Sequence, residues 1–186
     1  MKPEHLPIFQ ALEPWQLMGL NCHREASGEP YEGKVAVCTV VMERVDHRDW
    51  DGKTIHEVIL KPWQFSWTMP EAGADYYNTS VKMAQYWQEH YRKSSALQEC
   101  CRIARGMIDG SIPRDADLAA VHCTEYVATW FRKSVDRQAN DLWLRIQAGE
   151  RGLWKKYARL QRTRWWKDMS LVKTVANHEF YKGRSK

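Results

Sequence analysis

The stretch that decides the fold is residues 25–45, which read EASGEPYEGKVAVCTVVMERV. Its second half, from Tyr31 to Val45, is so densely apolar that it predicts a helix buried on most sides. The preceding letters ASGEP combine a glycine with a proline, a pair typical of the end of a helix. The stretch therefore predicts two helices joined by a tight connection, with Glu25 at the end of the first.

The first of these helices is expected from about Pro14 to about Arg24. Glu13-Pro14 is a typical helix start, and Trp15, Met18 and Cys22 recur on one helical face. Glu25 would then lie at the negative end of the helix macrodipole and beside apolar side chains, and both effects raise the pKa of a carboxyl. A carboxyl that stays protonated near neutral pH is what cleavage of a glycosidic bond requires. Many glutamates end helices, so position alone does not decide the role.

Further along, the chain alternates loops with helical segments. A loop-rich region covers residues 46–70 and contains a short helix at Ile55–Leu60 with Thr54 as its cap. A long helical region is predicted at 80–108, with a break near Ser94-Ser95 and an end at Asp109-Gly110. Residues 119–129 are predicted to be extended or irregular.

Residues 133–164 differ from the rest in charge. Apolar residues recur there at helical spacing, interrupted at Gly149 and Gly152, and seven Arg and Lys accompany them between Arg145 and Arg164. One or two basic amphipathic helices are predicted. A solvated helix packed on the domain explains this pattern, and a face that binds a membrane surface or the cell wall is the alternative.

The bulk composition indicates one soluble globular domain over residues 1–186, with 44% hydrophobic and 27% charged residues. A net charge of +5 favours an anionic partner, which is a nucleic acid, a membrane surface or an acidic wall polymer. Ten Trp suit a groove that binds sugar rings or bases, although a core built from large side chains explains most of them. Five cysteines without a CxxC pair indicate reduced thiols in a chain made in the cytosol.

The N-terminal residues contain no basic segment followed by an apolar run, so no signal peptide is expected. A nucleic-acid-binding protein is the non-enzyme alternative, suggested by charge and by interleaved Arg and Trp. No helix-turn-helix, RNP or zinc-finger pattern supports it.

Four blocks of the sequence resemble the SleB-type cell wall hydrolases. The phrase at 25–45 is the most specific, and TIHEVI at 54–59 with PWQFS at 62–66 follows it in the order of that family. AVHC to YV at 120–127 and NHEFY at 177–181 are similar to its two looser later blocks. Ser27 departs from the family, which has Arg there, and the basic region 133–164 looks like an insertion.

The resemblance implies a mostly α, lysozyme-like single catalytic domain with a small loop/β region and a basic helical insertion at 133–164. It implies cleavage of the β-1,4 bond between N-acetylmuramic acid and N-acetylglucosamine, with Glu25 as the catalytic acid and base. In related enzymes the C6 hydroxyl of muramic acid attacks and gives a 1,6-anhydro product. A single carboxylate then serves both steps, unlike the usual pair.

Other residues follow from the same match. Gln64, Phe65 and Ser66 would line the cleft, with ordinary loop capping as the alternative for Gln64 and Ser66. Tyr31 would contact substrate or shape the turn after the catalytic helix together with Glu29. The cleft wall would include the residues His122, Tyr126, His178 and Tyr181. No metal is expected, because His122 and His178 lack partners at ligand spacing, and no cofactor is expected.

The leading hypothesis is a lytic transglycosylase that acts as a phage endolysin. A hydrolytic muramidase with the same fold is the alternative. The expected partner is peptidoglycan, without nucleic acid, and the protein is expected to be a monomer. It would be made in the host cytoplasm without a signal peptide and act on the wall after release.

Overall fold

The computed structural model describes residues 1–47 and 52–182, so part of the predicted loop region 46–70 lies outside it. The helices in these ranges are α1 (Leu6–Gln10), α2 (Pro14–Ala26), α3 (Tyr31–Asp46), α4 (Ile55–Leu60), α5 (Ala74–Gln85), α6 (Trp87–Lys93), α7 (Ser95–Asp109), α8 (Ala116–Ala120), α9 (Thr129–Gln147) and α10 (Trp154–Thr163). The strands are β1 (Cys123–Ala128), β2 (Ser170–Val175) and β3 (His178–Lys182). The prediction of a mostly helical domain with a small β region is confirmed.

Helix α2 passes through the centre of the molecule and packs most closely against α7. It begins with a capping box in which Glu13 and Gln16 satisfy each other's backbone N–H groups. At the crossing, Gly19 faces Cys101, and a Cβ at Gly19 would lie only 2.8 Å from the Cys101 Cα. The glycine is therefore what lets the two helices approach so closely. The predicted helix is confirmed and extends to Ala26, two residues further than expected.

Helix α3 follows after a short turn and is buried along most of its length, as its valines predicted. Its first turn lies against that connection, since a Cβ at Gly33 would meet the Glu29 Cβ at 2.9 Å. The spacing of Glu29 and Gly33 therefore lets the turn fold back on the helix. Glu25 therefore lies in the last turn of α2, just before this tight connection to α3.

The predicted long helical region is three helices, α5, α6 and α7. The expected break is at Ser94, whose hydroxyl accepts a hydrogen bond from the Leu97 N–H and caps α7. A second break at Tyr86 was not predicted. Helix α7 ends at Gly110, where a φ of +82° suits glycine. Helix α4 has the predicted bounds, and the Thr54 side chain accepts from the Glu57 N–H as expected.

The three strands form one antiparallel sheet in the order β1-β3-β2. Its inner face packs on α3, with Phe180 and Cys123 against Val37 and Val40. Strand β1 falls in the segment predicted to be extended or irregular. The sheet thus covers the side of α3 that the other helices leave open.

The basic region forms a helical hairpin of α9 and α10. Val135, Ala139 and Leu142 bury one face of α9, whereas α10 contributes no buried residue. Among the described residues no helix combines the length and the apolar character needed to cross a membrane. The five cysteines are buried and free, as predicted, and burial raises the pKa of the Cys101 thiol to about 12.

Candidate active site

Glu25 occupies the last turn of α2, one residue before the helix ends. Burial raises the pKa of its carboxyl from 4.5 to about 7, and the Tyr126 hydroxyl and the Arg44 and Arg24 guanidinium groups only partly oppose that rise. The predicted direction of the pKa shift is confirmed, with burial as its main cause. A large fraction of Glu25 is therefore protonated at neutral pH.

Tyr126 of β1 is the hydroxyl that faces this carboxyl. It lies close enough to lower the Glu25 pKa, and burial together with the Glu25 charge raises its own pKa well above the usual value. The pair does not reach full hydrogen-bond geometry. Within residues 1–47 and 52–182, neither the buried Glu25 Oε1 nor the buried Tyr126 Oη has a hydrogen-bond partner. Two adjacent polar atoms without partners are ready to bind a polar group of a ligand.

Arg44 connects α3 to the strand that carries Tyr126. Its Nε donates to the Thr124 carbonyl at 2.7 Å, and Nη2 lies 3.4 Å from the Glu125 carboxylate. Its guanidinium lies 5.3 Å from the centre of the Phe65 ring. The charge is buried and close enough to Glu25 to favour the carboxylate form. Arg44 was quoted within the motif at 25–45 but was not predicted as a site residue.

Arg24 and Tyr76 form a second boundary of the site. The Arg24 guanidinium stacks 3.6 Å above the Tyr76 ring and donates to the Tyr76 carbonyl, and the Tyr76 hydroxyl donates back to the Arg24 carbonyl. The Glu25 charge contributes to raising the Tyr76 pKa, after burial. Tyr76 lies in the first turn of α5 and belongs to no recognised motif, so sequence reasoning missed it.

Glu29 lies in the turn after α2 and binds the turn between β2 and β3. Its carboxylate accepts from the Asn177 backbone N–H at 3.2 Å and from the Asn177 Nδ2 at 3.0 Å. His178 lies 3.8 Å away, and its ring contacts Tyr126. Glu29 therefore ties the turn after α2 to the turn between β2 and β3.

Gln64, Phe65 and Ser66 lie in the loop after α4. Phe65 is buried and packs against the Arg44 guanidinium, so it contacts a neighbour of Glu25 and is not exposed to a ligand. Ser66 is exposed and Gln64 half-buried. Their neighbour Trp63 is 74% exposed and has a φ of +70°. That backbone conformation is costly for a bulky residue and presents an indole to solvent beside Gln64.

Tyr31 and His122 contact residues other than those around Glu25. The Tyr31 ring lies beside Arg102 of α7, at 5.7 Å from its guanidinium. His122 lies next to Glu43 and His47, at the end of α3. Tyr181 is buried with its hydroxyl on Glu179. Of the predicted residues, Tyr126, Phe65 and His178 therefore connect most directly to the surroundings of Glu25.

A cleft of about 640 Å³ lies between α2 and α7, and Glu25 is not among the residues that line it. The cleft is lined by residues that include Trp15, Arg102 and Arg105. The Arg105 guanidinium lies 4.0 Å from the centre of the Trp15 ring. Glu25, with its unsatisfied oxygen and raised pKa, is the better candidate for chemistry, because the cleft residue Cys101 has a pKa of about 12 and is an unreactive thiol at neutral pH.

A family model for cell wall hydrolases matches residues 28–144, which is more than half of the chain. The chain belongs to the cell wall hydrolase family. Searches of curated proteins and of solved structures found no match. The match includes Arg44, Phe65 and Tyr126, and it begins three residues after Glu25.

Membership confirms the resemblance in the sequence and makes peptidoglycan the substrate class of this hydrolase. A buried acid with a pKa of about 7 can donate a proton to a bridging oxygen at neutral pH and can also accept one. Arg44 and Arg24 favour the charged form of this carboxyl.

Proposed function

We propose that this hydrolase cleaves the β-1,4 bond between N-acetylmuramic acid and N-acetylglucosamine as a lytic transglycosylase, with Glu25 as both its acid and its base. The observation that carries the proposal is the Glu25 carboxyl, whose burial raises its pKa to about 7 in the chain of a cell wall hydrolase. A solvated glutamate would be ionised at that pH and could not protonate a leaving group.

In the first step the protonated Glu25 donates to the glycosidic oxygen. The bond between that oxygen and C1 of muramic acid breaks, and positive charge develops on the sugar. The carboxylate left behind is stabilised by the nearby cations Arg44 and Arg24, which both favour its charged form. Donation therefore becomes easier as the bond breaks.

In the second step the same carboxylate takes the proton of the muramic acid C6 hydroxyl. The C6 oxygen bonds to C1 and closes the 1,6-anhydro ring, so Glu25 ends protonated and no water is consumed. Tyr126 is placed to orient this hydroxyl, because its Oη is buried beside Glu25 and has no partner within the described ranges.

The position of Glu29 supports a mechanism with a single carboxylate. Two-carboxylate glycosidases need a second acid that is free to act as nucleophile or base. Glu29 accepts two hydrogen bonds from Asn177 instead, one of them from the backbone. Its carboxylate is therefore engaged in binding the turn between β2 and β3.

The loop at 63–66 supplies the groups proposed to bind the sugars. The exposed Trp63 indole offers a flat apolar face for a sugar ring, and Gln64 and Ser66 supply side-chain donors for the N-acetyl group. Phe65, buried beneath Arg44, fixes the loop against the site.

Mass spectrometry of digested peptidoglycan tests the reaction type directly. We expect muropeptides that end in 1,6-anhydro-muramic acid, because one carboxylate acts in both steps and the substrate supplies the nucleophile. Reducing muramic acid ends, heavier by one water, would establish a muramidase. Free stem peptides with intact glycan strands would overturn the glycosidase assignment.

The pH dependence of cleavage should follow the protonation of Glu25. We expect kcat/KM on small soluble muropeptides to fall about tenfold per pH unit above pH 7, because only the protonated carboxyl can donate. A soluble substrate removes the influence of wall charge. A rate that rises between pH 7 and 8 would contradict the assignment of Glu25 as the acid.

We also propose that the hairpin of α9 and α10 binds anionic surfaces of the wall or the outer membrane. Four cations on α10 are exposed, namely Lys155, Lys156, Arg159 and Arg162. Next to them Trp154 is 57% exposed and packs with Trp143 and Tyr157 in an aromatic cluster. Cations beside exposed indoles are typical of surfaces that bind membranes.

Replacing these four cations by Gln should weaken cosedimentation with bacterial walls and leave cleavage of soluble muropeptides unchanged. Activity of the wild type on intact walls should fall with salt, since screening shortens to about 8 Å at physiological ionic strength. The matched control replaces four exposed cations elsewhere, Lys53, Lys82, Arg92 and Lys93, and has the same net charge. Equal wall binding by the hairpin variant and the wild type would leave α10 as a solvated packing helix.

The biological setting that we propose is a phage endolysin, made in the host cytoplasm and active as a monomer after it reaches the wall. The family places its substrate in the wall, and a net charge of +5 suits an anionic polymer. Cells that express the enzyme should lyse only when a membrane-permeabilising protein is expressed with it. Lysis by the enzyme alone, at the same level of expression, would exclude this setting.

A further inference from the structure

Glu43, His47 and His122 form a cluster of potential metal ligands at the end of α3. Glu43 lies in the last turn of α3, His47 directly follows that helix, and His122 directly precedes β1. The Glu43 Oε2 lies 3.4 Å from the His47 Nε2 and 3.2 Å from the His122 Nδ1. All three ligand atoms lie within 4.8 Å of one another. The two imidazole rings are 3.8 Å apart between centres.

These separations match the edges of a tetrahedron around a metal ion. Bonds of ~2.0–2.1 Å to zinc at tetrahedral angles place two ligand atoms about 3.3 Å apart. Both distances from the Glu43 Oε2 agree with that value and exceed the usual length of a good hydrogen bond, about 2.9 Å. The cluster therefore has nearly the spacing of a metal site before any ion is added.

The charges around Glu43 leave one of its oxygens for a cation. The Glu43 side chain is only 3% exposed, and Arg114 Nη1 lies 2.8 Å from its Oε1. The same Arg114 nitrogen lies 2.6 Å from Asp46, so the arginine charge is shared between two carboxylates. Counting these three charged groups, the cluster carries a net charge of about −1 when both histidines are neutral. That sign favours a divalent cation.

The histidines make the cluster accessible and select the kind of ion. The side chains of His47 and His122 are 41% and 61% exposed, so an ion could enter from solvent and keep a water molecule as its fourth ligand. Two imidazoles and one carboxylate suit Zn²⁺ and similar transition metals better than Ca²⁺ or Mg²⁺, which prefer oxygen ligands.

We propose that Glu43, His47 and His122 bind one Zn²⁺-like divalent cation that joins the end of α3 to the start of β1. Glu43 precedes Arg44 in α3, and β1 carries both Tyr126 and the Thr124 carbonyl that binds Arg44. A bound ion would hold together the two elements that form one wall of the active site. It would do so from outside that site, without contact with Glu25.

Isothermal titration with ZnCl₂ on untagged full-length protein tests the proposal. We expect one equivalent to bind, and the His47→Ala and His122→Ala variants each to lose affinity by on the order of tenfold or more, since even outer-shell partners of a metal site are worth that much. Both histidines are exposed, so both variants should keep the wild-type circular dichroism. His90→Ala, a histidine of α6 far along the chain from the cluster, is the matched control and should bind like the wild type.

Two further readouts separate this cluster from binding by cysteines. Titration with CoCl₂ should give the visible absorption of a four-coordinate site with nitrogen and oxygen ligands, without a thiolate charge-transfer band. Saturating Zn²⁺ should raise the melting temperature of the wild type and of His90→Ala, but not of the two cluster variants. Less than one equivalent bound, or unchanged affinity in His122→Ala, would overturn the proposal. Neither result depends on whether the glycosidase assignment is correct.

Discussion

The Glu25→Gln variant is expected to clear bacterial walls about 10²- to 10⁴-fold more slowly than the wild type, which is the usual contribution of a general acid and base. The amide keeps the shape of the side chain but has no proton to transfer. Turbidity of wall suspensions measures the loss, and circular dichroism verifies the fold.

Glu29→Gln is the matched control, four residues further along the chain. The amide oxygen can still accept one hydrogen bond from Asn177, so we expect only a partial loss of activity. Near-normal activity of Glu25→Gln, or an equal loss in both variants, would refute the assignment of Glu25 as the catalytic acid.

The Glu25→Gln substitution should also change the free energy of unfolding, by an amount that depends on pH. Because burial raises the Glu25 pKa from 4.5 to about 7, the folded protein binds this proton more tightly than the unfolded chain does. The wild type therefore loses stability as pH rises from about 4.5 to about 7, by up to about 3 kcal/mol at 1.36 kcal/mol per pH unit. Above pH 7 we expect Glu25→Gln to be the more stable protein, and the difference should vanish below pH 4.5 in urea unfolding.

Gly19→Ala is expected to cause a large loss of stability for a single added methyl group. A Cβ at this position would lie 2.8 Å from the Cys101 Cα and closer still to its Sγ, so α2 and α7 would have to separate. Overpacking of this kind costs about 1–3 kcal/mol or more. For a chain of this size, that lowers the melting temperature by about 3–10 °C.

Gly28→Ala is the control for this change, since no atom lies within 4 Å of a Cβ at Gly28 and its φ is not positive. It should melt at the wild-type temperature or slightly above, because alanine restricts the unfolded chain. Equal melting temperatures for the wild type and both variants would show that the contact of α2 with α7 tolerates a methyl group.

The sequence predicted the helices around Glu25 well because their signals are local. The apolar periodicity of α2 and α3, the cap at Thr54 and the glycine at 110 each act within a few residues. Strands β2 and β3 were not predicted. Strand β2 is mostly exposed or half-buried and β3 almost wholly buried, so neither alternates regularly between buried and exposed residues.

The candidate site was predictable only in part for a related reason. Glu25 was found through its motif, but the groups that set its pKa come from distant parts of the chain. Arg44 lies in the last turn of a buried helix, Tyr76 lies in the first turn of α5, and Tyr126 lies on a strand. Nothing in their local sequence indicates that they meet. The same holds for His122, which joins Glu43 and His47 only in the folded chain.

The order of the strands has a consequence for synthesis on the ribosome. Strand β3 is the last of the described elements to be made, yet it lies between β1 and β2, which pair only with it. A nascent chain that stops short of His178 has no partner for the strand that bears Tyr126, and Glu29 has no Asn177 to bind when the chain also lacks that turn. The helices can assemble during translation, but the described sheet cannot form until the residues of β3 have been made.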